Sequence, residues 1–298
     1  MSSPASPPIA GDLPRKISSR EALNTLLEQE FPGASGAISP IRGGRQAAEK
    51  QMRKMDAKRY ARSRNHLNGS VTGLSPYIRH GVLTLAEVRD AVFQSISNRD
   101  DGSKLINELG WRDFWQRMWQ ELGDRIDDDQ EEFKTGHSAS SYSQELPDDV
   151  RDGCTGLACM DGFREELVST GWLHNHARMW MAAWLVHWRH VHWKAGADWF
   201  LEHLLDGDPA SNHLSWQWIA STFSHKPYFF NRDNLERYSG GHFCKSCSSS
   251  SQCPFDASYE QLETTLFAQR APIRDVPPRR QGHRSKSTAR PNPSTQRF

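Results

Sequence analysis

Apolar residues recur at spacings of three and four through most of this chain, and the repeat predicts helices over 20–30, 45–59, 85–97, 104–122, 160–169, 173–193, 196–205 and 259–267. Strict alternation of apolar and polar residues, the mark of a half-buried strand, is nearly absent. Pro, Gly, Asn and Asp clusters that end helices stand between the periodic stretches, at 40–44, 68–76, 152–156, 206–209 and 240–241. The pattern predicts an all-α chain with one helical domain over 17–270 and no internal repeat.

Composition changes that picture only at the ends. Segments 1–16 and 271–298 are rich in Ser, Pro and Arg and poor in large apolar residues, so they cannot offset the entropy of ordering and are expected to be disordered tails. The net charge of +1 hides basic stretches at 42–64 and in the C-terminal tail and an acidic one at 124–132. Two basic stretches suit a polyanionic partner such as nucleic acid, and equally suit solvated helix faces. No apolar run approaches the roughly 18 residues of a membrane span, and no secretory signal is present, so the expectation is a soluble, cytoplasmic protein without a membrane partner.

Candidate chemistry concentrates in 170–218, where most of the eleven Trp lie among His, Arg, Asp and Asn. A buried indole needs a partner for its N–H, so this mixture asks for more than packing. Four segments stand in order: NGSVTGLSPYIRHGVLT (68–84), NELGWRDFW (107–115), TGWLHNHARM (170–179) and DGDPASNHLSWQW (206–218). Together they resemble the FAD-binding helical domain of DNA photolyases and cryptochromes, over about 43–259.

The resemblance implies a bound FAD. Thr72 and Ser75, at a helix start with Gly73 and Leu74, match the loop that offers hydroxyls and backbone N–H groups to a pyrophosphate. Arg178 and Asp206 would pair against the flavin ring, Asn212 would lie near flavin N5, and Tyr60, Gly207 and Asp208 match further flavin contacts. Taken singly each reads as structural; the joint pattern points to a site. The phosphate loop departs from the family's Thr-Ser-Arg-Leu-Ser, reading Val71-Thr72-Gly73-Leu74-Ser75, with one hydroxyl and the Arg side chain lost.

On the substrate side, Glu108, Trp111, Asn175, Met179 and Trp218 match the walls that photolyases place around a flipped cyclobutane pyrimidine dimer, so DNA containing such dimers is the expected partner. A (6-4) type would carry His at position 175. Arg64 and Arg112 match phosphate-contacting positions, and His176 stands there where Arg is usual. The family's electron relay begins at the Trp216 position and continues at Trp193. A third member is not evident; the candidates are Tyr142 or an exit through Trp180, Trp184 or Trp188, which also read as one helix face at spacing four.

Five cysteines in such a protein argue against a disulfide framework. Cys159 with Cys244-x2-Cys247-x5-Cys253-Pro254-Phe255, in the loop 240–256, resembles the iron–sulfur branch of bacterial photolyases, although the last spacing is short. A [4Fe-4S] cluster, zinc with help from His242, and free thiols are the open readings, with Cys154 left over. His174-x-His176 and His190-x-His192 point to different helix faces and are not expected to share an ion.

Full photolyases carry an N-terminal α/β antenna domain, and the chain begins too close to its FAD segments to include one. A second protein supplying that domain is therefore an expected partner. Three activities stay open: a light-dependent dimer-repair enzyme, a cryptochrome-like light or redox sensor, and an unrelated redox role.

Overall fold

The computed structural model describes residues 14, 16–31 and 38–267. The two tails lie outside the described residues except for Pro14 and Lys16. Among the described residues the chain is all-helical, and its sole extended pairing is an isolated bridge between Ser143 and Val191. The helices are α1 Arg20–Glu30, α2 Arg45–Met52, α3 Ala57–Ser63, α4 Ser75–Arg79, α5 Leu85–Ser95, α6 Ser103–Leu122, α7 Asp148–Asp152, α8 Ala158–Thr170, α9 Asn175–His187, α10 Trp193–His203, α11 Pro209–Ala220, α12 Arg232–Ser239 and α13 Tyr259–Leu266. No described helix is long and apolar enough to cross a membrane.

Two long repeats break where local bonding outcompetes periodicity. The stretch 45–59 divides because Asp56 accepts the Arg59 N–H and starts α3 afresh. The stretch 173–193 divides because the Arg189 and Val191 N–H groups turn back to the carbonyls of Trp184 and Leu185, with His190 in the left-handed region at φ 49°. His192 then caps α10, its Nδ1 accepting the Lys194 N–H at 3.2 Å. The α4, α7, α11 and α12 helices escape the pattern because they are short or, in α11, buried on most sides.

The core is built on α9, which is apolar around most of its circumference and packs against α8, α10 and α11. Trp180, Met181, Leu185 and Val186 are fully buried there, beside Phe163, Phe200 and Phe230. Buried indoles find partners: Trp180 Nε1 donates to Asn234 Oδ1 at 3.1 Å and Trp193 Nε1 to Asp129 Oδ1 at 2.5 Å. A smaller cluster of Ala48, Leu74, Tyr77, Leu83 and Val88 holds the 70–84 segment against α2 and α5.

The core also encloses His187, whose Nε2 meets the Ile219 carbonyl at 3.1 Å while Nδ1 has no partner. Burial holds this side chain near 4 instead of 6.5. An unfolded chain takes up a proton near 6.5 that the fold refuses until about 4. Stability is therefore complete above the upper value and is lost as pH falls through the window, by up to about 3 kcal/mol for this residue. Thermal melts across that range should show a falling midpoint, with a shallower slope in His187→Gln; a wild-type midpoint independent of pH would refute this account.

Candidate flavin site and its surroundings

The N-terminus of α9, the 204–208 turn, α11, α6 and the 72–80 segment meet at one place. Arg178 donates from Nε to the Leu173 carbonyl at 2.8 Å and from Nη2 to both Asp206 oxygens at 2.9 Å. The Asp206 side chain is only 4% exposed, so the pair is largely removed from water. Two residues on, buried Asp208 caps α11, accepting the Ser211 hydroxyl at 2.8 Å, and also accepts Gln116 Nε2 at 2.8 and 2.9 Å. Arg112 Nη2 approaches Asp208 at 3.9 Å. Burial lowers the Arg112 pKa, with the two carboxylates opposing the shift. Arg79 Nε donates to the Gly207 carbonyl and His80 Nε2 contacts the Leu205 carbonyl at 2.8 Å, docking the 72–80 segment on the same turn.

Within that segment Gly73 has φ +61°, where an added Cβ would meet the Gln51 amide at 2.9 Å, and Gln51 Nε2 donates to the Thr72 carbonyl at 2.8 Å. Leu74 is buried, and Ser75 opens α4. Asn212 donates to the Ala197 carbonyl at 2.8 Å. The set combines hydroxyl and N–H donors, three guanidinium groups and two buried carboxylates. Those chemistries match two parts of FAD, its central anionic pyrophosphate and its hydrogen-bonding flavin ring edge.

On the rim, Glu108 of α6 lies 3.5 Å from Arg64 and 4.0 Å from Lys104. Arg64 also lies 6.0 Å from the centre of the Tyr60 ring, and burial and then the Glu108 charge push the Tyr60 hydroxyl up to about 12. Trp111 and Trp218, on the packed helices α6 and α11, are 52% and 40% exposed, unlike the chain's buried indoles. Asn175 Nδ2 meets Met179 Sδ at 3.5 Å at the start of α9.

The DNA-facing expectation for His176 needs correction. It is buried, bonded through Nδ1 to the Asn65 carbonyl at 2.6 Å and stacked on Trp180 at 4.5 Å, because α9 turns this position toward α12 rather than outward. Arg112 likewise faces Asp208 with an 18% exposed side chain, so it contributes to the carboxylate site rather than to an open surface. Gln116 and Arg79 were not singled out from sequence; Gln116 follows Arg112 by one helical turn, which is the signal that could have found it.

Trp216 is buried edge-on to Phe200 at 5.0 Å and lies so close to Gly196 that an added Cβ would stand 2.3 Å from its ring. Trp193 does not reach Tyr142 directly. His192 lies 5.5 Å from Trp193 and 5.8 Å from Phe133, and Phe133 stacks on Tyr142 at 4.4 Å. Tyr142 is buried, its hydroxyl 2.8 Å from that of Thr135. Trp180 and Trp184 are core residues, whereas Trp188 is half-buried and donates to the Pro254 carbonyl.

Cys159, Cys244, Cys247 and Cys253 line one small cavity, while Cys154 is exposed and outside it. Burial, followed by the neighbouring thiols Cys244 and Cys253, raises the Cys159 pKa, and burial with Glu236 raises Cys244 to about 11. Among the described residues no His, Cys, Asp and Glu group is gathered closely enough to hold a single metal ion.

Residues 105–245 match the family described as the FAD binding domain of DNA photolyase. The deoxyribodipyrimidine photo-lyase of Streptomyces griseus is 32% identical over 164 residues, covering 55% of this chain and 35% of that protein. Cryptochrome DASH of Oryza sativa subsp. japonica is 33% identical over 179 residues, covering 56% and 30%. The chain thus spans about a third of the length of these relatives. Among solved structures, a Synechocystis sp. PCC6803 cryptochrome superposes with a TM-score of 0.59 at 25% identity, over 67% of this chain and 44% of that one. A class III photolyase from Agrobacterium tumefaciens gives 0.60 at 19% identity, over 77% and 56%, and supports the fold alone. The motifs, the helical architecture and these similarities agree: the chain carries a helical domain of the photolyase/cryptochrome FAD-binding type, matched by the family model over residues 105–245.

Proposed function

We propose that this chain is a light-dependent DNA-repair flavoprotein acting on cyclobutane pyrimidine dimers. The supporting observation is that Trp111 and Trp218 are exposed indoles on the packed helices α6 and α11, while the Arg178–Asp206 pair beside the start of α11 is withdrawn from water. Bound FAD, when reduced, supplies a light-driven electron to the substrate. The chain's own part is recognition and positioning. Trp111 and Trp218 present aromatic faces to two linked, flipped bases, recovering about 1–3 kcal/mol per stacked base against the cost of extrusion. Glu108, within ion-pair reach of Arg64 and Lys104, would offer its carboxyl group to the base edges, and Asn175 with Met179, in contact at the start of α9, would supply a further wall. Thr72, Gly73, Leu74 and Ser75 would hold the pyrophosphate; Tyr60, Arg178, Asp206, Gly207, Asp208 and Asn212 would frame the rest of the cofactor. Trp216 and Trp193 would keep it reduced, with Tyr142 reached through His192 and Phe133.

The test is illumination of the anaerobic, flavin-loaded protein with a dimer-containing oligonucleotide while thymine absorbance is followed. Recovery that requires light and reduced flavin supports repair. A full flavin spectrum without recovery moves the assignment to a cryptochrome-like sensor, the reading favoured by the similarity to cryptochrome DASH at the same level of identity.

We further propose that Cys159, Cys244, Cys247 and Cys253 hold a [4Fe-4S] cluster. Four thiols lining one small cavity supply the all-sulfur donor set of a thiolate-ligated cluster. Cys247→Ser should lower iron content and remove broad absorbance at about 400 nm. Unchanged iron and spectrum would discard the cluster.

A further inference from the structure

The acidic segment 124–132 is folded onto the indole relay rather than left in solvent. Buried Gln217, between Trp216 and Trp218 on α11, straps it from both sides: Oε1 accepts the Gln130 N–H at 3.1 Å and Nε2 donates to the Ile126 carbonyl at 3.0 Å. The Lys134 N–H adds a bond to Ser221 Oγ at 2.8 Å. This anchoring sets Asp129 Oδ1 against Trp193 Nε1 at 2.5 Å. His192 approaches the same oxygen: its Nδ1 accepts the Lys194 N–H, so the neutral ring carries its hydrogen on Nε2, 3.4 Å from Asp129 Oδ1. The other charged and titratable groups at this corner are engaged elsewhere. Lys194 pairs with Asp198 at 2.6 Å and lies 3.6 Å from Asp127, and His213, edge-on to Trp193 at 5.9 Å, faces those same two carboxylates.

Packing alone would not choose a carboxylate here. Trp180, equally buried, gives its N–H to the neutral amide of Asn234, whereas Trp193 uses an acceptor whose charge costs desolvation to bring in. Burial by itself would raise the Asp129 pKa, but the contacts with His192 and Trp193 outweigh it and hold the carboxyl below its usual range, so it is ionised at neutral pH. An indole that has lost an electron is a far stronger acid than a neutral one, and its N–H proton is the one Asp129 already holds. Trp216 packs on Phe200 and Gly196, and among the described residues no carboxylate is hydrogen-bonded to it. Past Trp193 the next rings are His192, at 5.5 Å, and Phe133, 5.8 Å from His192; neither is readily oxidised, so a positive charge waits at Trp193.

We infer that Asp129 is the proton acceptor of Trp193. Trp216 gives one electron to the photoexcited, oxidised flavin and Trp193 refills Trp216 with one electron. The Trp193 N–H proton then passes to Asp129 Oδ1, leaving a neutral indole radical and a neutral carboxylic acid. Return of the electron requires the proton back, so the charge separation outlasts the gap in the relay. A soluble thiolate later supplies one electron to Trp193, and Asp129 returns the proton. This rests on the relay assigned to Trp216 and Trp193 in the proposed function, and its test contains no DNA.

The experiment is flash photolysis of the flavin-loaded, oxidised protein as wild type, Asp129→Asn and Trp193→Phe, following the distinct visible bands of the cationic and neutral indole radicals. Asparagine keeps an oxygen to accept the indole N–H but takes no proton, and flavin absorbance reports that the fold is intact. In wild type the cation should give way to the neutral radical, several-fold more slowly in heavy water. Asp129→Asn should decay as the cation, with the charge-separated lifetime shortened roughly 10- to 100-fold, the worth of a hydrogen bond to a charged group. A neutral radical formed at the wild-type rate in Asp129→Asn, or a wild-type rate indifferent to heavy water, would overturn the assignment while leaving the relay in place. Trp193→Phe should form no neutral radical; if it matches wild type, the relay itself fails and the assignment with it.

Discussion

Arg178→Ala yields a helical protein that purifies without flavin. Its guanidinium group is the cation facing the Asp206 carboxylate, which is 4% exposed, and Nε also ties the α9 start to the Leu173 carbonyl. Removing one partner of such a pair leaves a buried carboxylate with only the more distant Arg112 to offset it, at a cost of up to about 3–5 kcal/mol. The turn carrying Asp206, Gly207 and Asp208 would relax to rehydrate it. Flavin affinity should fall by roughly two to three orders of magnitude, since the relaxed turn is the one that docks Arg79, His80 and Arg112. The secondary structure should survive because the core of α9 lies farther along the helix, at Trp180 to Val186. Far-ultraviolet circular dichroism and the flavin-to-protein absorbance ratio make the measurement. A fully flavinated Arg178→Ala protein would remove this pair from the cofactor site. Arg178→Lys keeps the charge without the fork and should retain an intermediate amount of flavin.

On the proposed repair function, Trp111→Ala should weaken dimer-specific binding, and light-driven repair at limiting substrate, by about one to two orders of magnitude while flavin content stays at the wild-type level. The ring is half in solvent and packs on Trp115 and Phe114 rather than in the core, so its loss leaves little cavity and costs little stability. What it removes is a stacking face for a flipped base, about 1–3 kcal/mol of recognition, or roughly 10- to 100-fold in affinity. Comparing dimer-containing with undamaged oligonucleotides isolates that contribution. Repair at an unchanged rate by this variant would end the enzyme reading, and loss of flavin would show that Trp111 supports the cofactor instead.

Much of the fold was legible because helix formation is local. The three-and-four repeat located α1, α5, α6, α8 and α13 within about two residues at their ends. It failed at 188–192, where the break depends on backbone bonds to the preceding turn and on an imidazole cap, neither of which changes the hydrophobic period. The charged pair Arg178–Asp206 could be named from motif order, yet its 2.9 Å bidentate contact needed the turn after α10 to return beside the start of α9. His176 was misplaced for the complementary reason: a polar residue in a motif carries no mark of which face its helix will bury, and packing against Tyr238 and Trp180 settled it.

The sequence by itself determined an all-helical chain, the flavin-binding family and the residues that identify it, because those properties reside in periodicity and in ordered motifs. Only the tertiary structure decided that four cysteines up to 94 positions apart line one cavity, that Arg112 faces Asp208, and that Phe223 closes an aromatic strip begun on α6. The physical reason is that contacts between distant segments are set by how buried helix faces pack. Packing depends on the joint shape of many side chains, which no local pattern encodes.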